Sequence, residues 1–159
     1  MPIRPATEAD AAAIAAIWNH YIRDTIVTFN AQEKSVTELA AAIADPKTPF
    51  YVAEQDGRIA GFATYSDFRK GVGYAFTKEH TVMLAPDAGG KGLGRALMTE
   101  IEQHAARNNI KSLFAGVSAE NGEAVTFHAA CGYVQVARLP SIGWKFGRWH
   151  DLVLMQKFL

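Results

Sequence analysis

The chain has 159 residues, of which 49% are hydrophobic, and its 16 Lys and Arg residues balance 16 Asp and Glu residues. A chain of this length and composition can bury one full core, so we expect a single domain over residues 1–159 and not a disordered polymer. The balanced charge argues against non-specific binding to nucleic acid or to a membrane surface.

The sequence also argues against a disulfide-bonded or cysteine-metal protein and against a secreted or membrane protein. Cys131 is the only cysteine, so no internal disulfide and no cysteine-based metal site is expected. The N-terminal stretch MPIRPATEADAAAIAAIW carries charges where a signal peptide would have its apolar core, and no segment approaches the length of a membrane span. We therefore expect a cytoplasmic protein without membrane contact.

The N-terminal third is predicted to hold a short strand and two helices. After Thr7, a candidate N-cap, apolar residues recur at helical spacing until the pattern ends near RDT. The next segment, IVTFNAQEKS, is predicted to be a loop or an irregular strand. A second helix begins after Ser35 and ends before Pro46.

Strands and helices alternate through the rest of the chain. FYVAEQDGRIAGFATYSDF is predicted to be a strand pair with Asp56-Gly57 as its hairpin turn. The strand EHTVMLAP, a helix after the glycine-rich stretch, the strand KSLFAGVS and the helix NGEAVTFHAAC follow, and YVQVARL and HDLVLMQKFL are the final strands. This order predicts a mixed sheet with helices on both faces.

The segment GGKGLG, residues 89–94, places four glycines at the start of a predicted helix. Glycine is less favourable than alanine there by roughly 1 kcal/mol, so the pattern indicates a place where the backbone must be bare. A mononucleotide loop would need Lys and then Ser or Thr after its last glycine, but Arg95 and Ala96 follow. A dinucleotide fingerprint would need a third glycine at Leu97. A third pattern, R/Q-x-x-G-x-G/A, fits except at its first position, Gly89.

This third pattern is the pyrophosphate loop of the GCN5-related N-acetyltransferase (GNAT) superfamily, which the chain resembles. The segment from Asn121 to Tyr133 resembles the second signature of that superfamily, N-x-x-A-x-x-x-Y-x-x-x-G-F, with His128 at the tyrosine position. EHTVMLAPDAGGKGLGRALM, WNHYIRDTIVTFN and GWKFGRWHDLVLMQ are similar to the phosphinothricin acetyltransferase branch, which includes methionine sulfoximine and methionine sulfone acetyltransferases. The similarity covers nearly the whole chain, although Gly89 replaces the usual arginine or glutamine and VGYAFTKEH lies where the branch varies.

The resemblance implies an α/β GNAT fold, with a mixed, mostly antiparallel sheet of about six to seven strands and helices on both faces. It implies a homodimer that uses acetyl-CoA to acetylate the α-amino group of a small amino acid or of an amino-acid-like toxin. No metal is implied, and the five histidines show no ligand cluster. Two alternatives stay open: acetylation of a peptide or protein N-terminus, and a non-catalytic acyl-CoA sensor.

Two residues are implied to be catalytic. Glu79 matches the catalytic glutamate of the branch, which would take a proton from the incoming ammonium group directly or through a water. The alternative is a solvated carboxylate at the end of a strand. His80 should lie on the opposite face by strand alternation, so the two are not expected to form one dyad. His128 is either the general acid for the leaving thiolate or a packed core histidine.

The resemblance also implies two sets of binding residues. Asn121 is expected to bind the pantetheine arm, to cap its helix, or both. Arg69 is expected to bind the acceptor carboxylate through its planar fork, unless it is an ordinary surface arginine. The acetyl-CoA set is Val82, Met83, Leu84, Gly89, Gly90, Lys91, Gly92, Leu93, Gly94, Arg95 and Asn121. The acceptor set is Phe29, Phe68, Arg69, Lys70, Glu79, His80 and Thr81. Three aromatic residues near the end of the chain are expected to be dimer contacts, a pocket lid or one face of the last hairpin: Trp144, Phe146 and Trp149.

Overall fold

The computed structural model describes residues 3–159, so Met1 and Pro2 of the predicted domain lie outside the described residues. Within that range the elements follow the predicted order. The strands are β1 (Ile3–Pro5), β2 (Phe50–Gln55), β3 (Arg58–Asp67), β4 (Thr77–Leu84), β5 (Ser112–Ser118), β6 (Val134–Lys145) and β7 (Arg148–Phe158). The helices are α1 (Ala11–Asp24), α2 (Val36–Ala44), α3 (Leu93–Arg107) and α4 (Gly122–Ala130). In residues 3–159 no helix has both the length and the apolar character needed to span a bilayer.

One seven-stranded sheet has the order β1-β2-β3-β4-β5-β7-β6. Neighbouring strands are antiparallel except for the central pair, β4 and β5, which are parallel. The mixed, mostly antiparallel sheet is therefore confirmed.

Two adjacent residues of β3 show that helices cover both faces. The ring of Phe62 lies 5.0 Å from the ring of Trp18 in α1. A Cβ added at Gly61 would lie 3.2 Å from a Cδ of Leu97 in α3. Because successive residues of a strand point to opposite faces, α1 and α3 cover opposite sides of the sheet.

Both hairpins turn on pairs of residues with positive φ. Asp56 (φ 52°) and Gly57 (φ 76°) join β2 to β3 as predicted. Phe146 (φ 52°) and Gly147 (φ 73°) join β6 to β7, and β6 runs on past the predicted YVQVARL as far as Lys145. Two shifts of register interrupt its pairing with β7, which is how a strand containing a proline stays in the sheet.

The central parallel pair separates soon after it begins. β4 and β5 pair at Thr77–Ser112, Lys78–Leu113 and Glu79–Phe114. From Glu79 to Leu84, β4 keeps its pairing with β3, and β5 keeps its pairing with β7 as far as Ser118. The sheet therefore opens into a cleft, with Glu79 at its apex.

Candidate active site

The cleft between β4 and β5 holds a cavity of about 390 Å³. Its walls come from both strands, from the loop after α1 and from the start of α4. Eight of the residues predicted from the sequence line it: Phe29, Glu79, His80, Thr81, Val82, Met83, Asn121 and His128. The fold thus gathers residues that are separated by up to a hundred positions in the chain.

A groove leads from this cavity to the start of α3. A second space of about 360 Å³ shares Val82, Met83 and Asn121 with the cavity and extends to Leu84 and Gly89. A third space of about 280 Å³ shares Leu84 and continues along the glycine loop, lined by Gly90, Gly92, Leu93, Gly94 and Arg95. Because neighbouring spaces share residues, they form one path that suits an extended ligand with an anionic end.

The glycine loop presents bare backbone at the end of this path. Gly92 is the N-cap of α3, in the left-handed region at φ 75°, and no side chain caps the helix. The first N–H groups of a helix have no partner within it, and with the helix dipole they favour a bound anion. These residues fit a pyrophosphate group. Lys91 is exposed beside the loop, and Arg95 donates to the carbonyl of Ala130 at 2.9 Å.

Gly94 serves packing as well as the loop. A Cβ at this position would lie 3.3 Å from the ring of Phe127 in α4. A side chain here would therefore require the ring of Phe127 to shift by a few tenths of an ångström. At Gly89, by contrast, an added Cβ would meet nothing within 4 Å.

The free edge of β4 lies along the same path. Residues Val82–Leu84 pair with β3 on one side, while their pairing with β5 has already ended. Unpaired backbone N–H and C=O groups at such an edge can bond to the amides of an extended ligand. This arrangement fits a pantetheine arm.

Asn121 stands where the cavity and the groove meet. Its Oδ1 accepts a hydrogen bond from the backbone N–H of Ala124 at 3.2 Å, so it is the N-cap of α4. In the described part of the chain no hydrogen bond is recorded for its Nδ2. The cap and a ligand contact can therefore coexist, one through the oxygen and one through the nitrogen.

Glu79 presents its carboxylate to the cavity. Burial raises the pKa of this carboxyl group above its usual value. Its Oε2 lies over Gly116 of β5, where an added Cβ would come within 3.0 Å. No salt bridge to Glu79 is recorded within residues 3–159. A partly buried carboxylate without a cationic partner is a suitable proton acceptor. Gly116 was not predicted, because an isolated glycine in a strand has no distinctive pattern.

His80 and His128 are both buried on the other face of β4. His80 and Glu79 point to opposite faces of β4, because they are consecutive residues of a strand whose pairing with β3 is regular: Tyr65 pairs with His80, and Ser66 with Glu79. Nε2 of His80 lies 2.9 Å from Nε2 of His128, and Nδ1 of His128 lies 2.7 Å from the carbonyl of Ala124. Burial lowers the pKa of both rings. Both nitrogens of His128 thus have protein partners, as in a packed histidine.

Three predicted acceptor residues do not line the cavity. Phe68, Arg69 and Lys70 follow the end of β3 at Asp67, in the loop that leads to β4. The ring of Phe68 stacks on Phe114 at 4.4 Å, and the guanidinium of Arg69 lies 5.6 Å from the ring centroid of Tyr74. Because Phe114 pairs with Glu79 at the apex of the cleft, Phe68 lies beside that apex but outside the cavity wall.

The loop after α1 supplies a wall that the sequence did not identify beyond Phe29. Val27, Thr28 and Asn30 line the cavity with Phe29, together with Trp18 from α1. The opposite wall comes from β5 and from Leu152 of β7. The family-like stretch WNHYIRDTIVTFN contains all of these residues of α1 and its loop, but the resemblance singled out only Phe29.

Comparison with known proteins places this geometry in context. The family model described as an acetyltransferase (GNAT) domain matches residues 3–154. The chain is 38% identical over 159 residues to a phosphinothricin N-acetyltransferase of Alcaligenes faecalis, covering 98% of this chain and 81% of that protein. It is 35% identical over 159 residues to an L-methionine sulfoximine/L-methionine sulfone acetyltransferase of Salmonella typhimurium, covering 98% of this chain and 93% of that protein.

A solved structure shows the same fold with a ligand. A GNAT superfamily phosphinothricin acetyltransferase from Sinorhizobium meliloti, solved in complex with AcCoA, superposes with a TM-score of 0.92 at 28% identity. The superposition covers 99% of this chain and 88% of that one.

Proposed function

The chain belongs to the GNAT acetyltransferase family, and on that premise we propose that it acetylates the α-amino group of a small amino acid or an amino-acid-like toxin. Phosphinothricin, methionine sulfoximine and methionine sulfone are the candidate acceptors, as the names of its relatives suggest. The observation that carries the proposal is the unpaired carboxylate of Glu79 in a cavity that meets an anion-binding groove.

The groove is proposed to hold acetyl-CoA, which supplies an acetyl thioester when it is bound. The N-terminus of α3 binds the pyrophosphate through backbone N–H groups, with Lys91 and Arg95 adding positive charge. The free edge of β4 at Val82–Leu84 and the side chain of Asn121 bind the pantetheine arm. These contacts would bring the thioester into the cavity near Glu79.

Glu79 is proposed to be the general base. An amino acid arrives mainly as an ammonium ion, and its nitrogen can attack a carbonyl carbon only after it has lost a proton. The raised pKa of Glu79 makes the carboxylate a better proton acceptor than an exposed glutamate. His128 could protonate a thiolate only after its Nε2 had left His80. We therefore assign His128 a positioning role, holding α4 against β4.

The acceptor is proposed to be small because of the cavity that it must share. About 390 Å³ has to contain both the thioester end of the donor and the acceptor, beside the rings of Trp18 and Phe29. Arg69 is proposed to bind the acceptor carboxylate from the loop after β3, near the apex of the cleft. Its guanidinium has no carboxylate partner within the described residues, and the strand that precedes it pairs with β4 beside Glu79.

Thiol release from acetyl-CoA across a panel of acceptors tests the proposal. The panel contains phosphinothricin, methionine sulfoximine, methionine sulfone, the common amino acids and a short peptide with a free N-terminus. We expect turnover with at least one free amino acid or toxin and none with the peptide. Turnover with the peptide alone would favour an N-terminal acetyltransferase. Acetyl-CoA binding without turnover of any acceptor would favour a sensor.

We further propose that the protein is a homodimer that associates through its last hairpin. Trp144, Phe146 and Trp149 are each more than half exposed, at 57%, 58% and 57%. Clusters of exposed aromatic residues are typical of interfaces.

A further inference from the structure

We propose that Lys145, Gly143 and His150 form a tether that holds residues 25–30 against the cavity and so determines which acceptors fit. The role in acceptor choice rests on the proposed function, whereas the tether itself does not. Residues 25–30 will be called the wall segment. This assigns a role to the KFGRW region, which neither the glycine loop nor Glu79 explains.

The wall segment needs an external support. It contains neither helix nor strand, yet Val27, Thr28, Phe29 and Asn30 all line the cavity. Its local hydrogen bonds form short-range turns: Oγ1 of Thr25 donates to the carbonyl of Tyr21 at 2.7 Å, the N–H of Val27 donates to Oγ1 of Thr25 at 3.2 Å, and the N–H of Asn30 donates to Oγ1 of Thr28 at 3.3 Å. Such turns leave the position of the segment relative to the sheet undetermined.

Lys145 provides that support with a buried cation. The residue is 4% exposed, and Nζ donates to the backbone carbonyls of Thr25 at 2.6 Å, Thr28 at 2.7 Å and Tyr21 at 3.4 Å. Three acceptors match the three N–H groups of an ammonium ion. The carbonyl of Tyr21 belongs to the last turn of α1, where the helix dipole favours a cation.

Lys145 is a buried cation without an acidic partner in the described part of the chain. No salt bridge is recorded for Lys145 within residues 3–159, and burial lowers its pKa. Burying a charge is costly unless polar groups compensate for the lost water, and here backbone carbonyls of the wall segment and of α1 do so. The cation therefore stabilises one particular position of this segment.

Gly143 and His150 hold the aromatic side chain of the same segment. The two residues face each other across β6 and β7, and the ring of Phe29 stacks on His150 at 5.3 Å with an angle of 26°. A Cβ at Gly143 would lie 2.6 Å from Cγ of Phe29, so only glycine leaves space for the ring.

His150 is itself held at both ring nitrogens. Its Nε2 lies 2.9 Å from the carbonyl of Lys145, and its Nδ1 lies 3.2 Å from a carboxylate oxygen of Glu120. These two contacts hold the ring in one orientation. The hairpin thereby fixes the ring on which Phe29 stacks, and with it one wall of the cavity.

The tether should influence the acceptor much more than acetyl-CoA. The wall segment lines the cavity that contains Glu79, and only its Val27 also lines the groove, at the end away from the glycine loop. Releasing the segment would therefore change the shape of the acceptor end, while the pyrophosphate site stays intact.

Lys145→Met tests the tether by removing the ammonium group and keeping most of the stem. We expect faster amide hydrogen exchange at residues 25–30 and an acceptor KM that rises roughly ten- to a hundredfold, the range for hydrogen bonds to charged groups. The KM for acetyl-CoA should stay unchanged. Lys157→Met is the matched control, since Lys157 donates to Glu102 and to the carbonyl of Cys131, away from the wall segment. It should leave both the exchange at 25–30 and the acceptor KM unchanged.

Gly143→Ala provides a second variant that keeps Lys145. Its methyl group should displace Phe29 and raise the acceptor KM in the same way, even if Lys145→Met proves too unstable to purify. Unchanged exchange at 25–30 in both variants overturns the tether, and faster exchange with an unchanged acceptor KM overturns its role in acceptor choice. If the wild-type protein acetylates no acceptor, the proposed function fails, while hydrogen exchange still decides the tether.

Discussion

The Nε2 atoms of His80 and His128 lie 2.9 Å apart, with both rings buried between β4 and α4. Nδ1 of His128 faces the carbonyl of Ala124 at 2.7 Å, so it carries the hydrogen, and Nε2 of a neutral ring is then an acceptor. His80 consequently donates from Nε2, and its buried Nδ1 has no hydrogen-bond partner in the described part of the chain. The two contacts together fix both tautomers.

Acid should destabilise the protein because these rings are neutral when buried. Burial, and then the nearby His128, lowers the pKa of His80 from 6.5 to about 3. Between these values the unfolded chain binds the proton and the folded chain does not, so stability is present above pH 6.5 and is lost as the pH falls. At pH 5 the loss from one such histidine is about 2 kcal/mol. Urea unfolding at pH 7.5, 6 and 5 measures it.

His80→Asn supplies the comparison for that titration. It removes one of the two buried rings, so its stability should depend less steeply on pH between 6.5 and 5. Equal slopes for the variant and the wild-type protein would show that His80 is not neutral in the folded state.

Glu79→Gln should lower kcat while leaving the KM for acetyl-CoA nearly unchanged. The amide keeps the size of the carboxylate but cannot accept a proton, and losing a general base typically costs roughly 10²–10⁴-fold. Raising the pH should partly restore the rate, because more of the acceptor then arrives as the free amine. Steady-state kinetics from pH 6 to 9 tests both points. Full kcat at neutral pH would mean that another group is the base.

The pH dependence of kcat/KM in the wild-type enzyme also tests whether Glu79 is the base. Burial raises the pKa of Glu79, so the carboxylate becomes protonated at a higher pH than an exposed glutamate does. The acid limb of kcat/KM should therefore lie above about 4.3, the ordinary glutamate value. A limb at or below that value would contradict the assignment.

Gly92→Val should weaken acetyl-CoA binding, because a β-branched side chain at φ 75° strains the loop and covers its N–H groups. Gly57→Val is a matched control, since Gly57 has φ 76° with nothing within 4 Å of an added Cβ and lies in the β2–β3 turn. Calorimetric titration with CoA should show weaker binding only for Gly92→Val.

Gly89→Arg should tighten CoA binding in the same titration, since the position has open space and gains a cation.

Arg69→Ala should raise the acceptor KM with little change in kcat, because the contact is made in both the ground and transition states. The loss of a hydrogen bond to a charged group is about 1.5–3 kcal/mol, or roughly ten- to a hundredfold. An amidated acceptor has already lost that contact, so the variant should discriminate less between free acid and amide. Arg107→Ala, at an exposed arginine of α3, is the control. Equal weakening of acid and amide would remove Arg69 from the acceptor site.

The hairpin aromatics should hold two protomers together. Sedimentation at micromolar concentration should give about twice the chain mass of 17.3 kDa. Trp149→Glu should yield monomers, because it places a charge in the middle of the exposed cluster. Phe158→Ser is the control, being 65% exposed at the other end of β7. A wild-type protein that is monomeric under these conditions would contradict the dimer.

The groove along the glycine loop and α4 could be predicted from the sequence because its signals are local. Four glycines before a helical pattern and an asparagine before the next helix stand at fixed spacings in the chain. The structure places these residues along one groove with β4. Strand alternation likewise predicted that Glu79 and His80 face opposite ways, and the register with β3 confirms it.

The walls of the cavity could not be predicted in the same way, because the contacts that position them join distant residues through the backbone. Lys145 binds carbonyl groups, which every residue has, so no residue type at positions 21, 25 or 28 indicates its partner. The pairing of His80 with His128 depends on how α4 packs on the sheet. Phe68 and Arg69 were expected at the cavity from the family pattern, but they lie in the loop after Asp67 and do not line it.

Lys145 also sets an order in time during protein synthesis. It follows Thr28 by 117 residues, so the ribosome makes the wall segment long before the cation that positions it. At about 5–20 residues per second, that interval is roughly 6 to 23 s. Throughout it, α1 can form and begin to pack while its C-terminal carbonyls have only water and local hydroxyl groups as partners. A nascent chain can therefore build the groove along β4 and α3 before the cavity has its final shape.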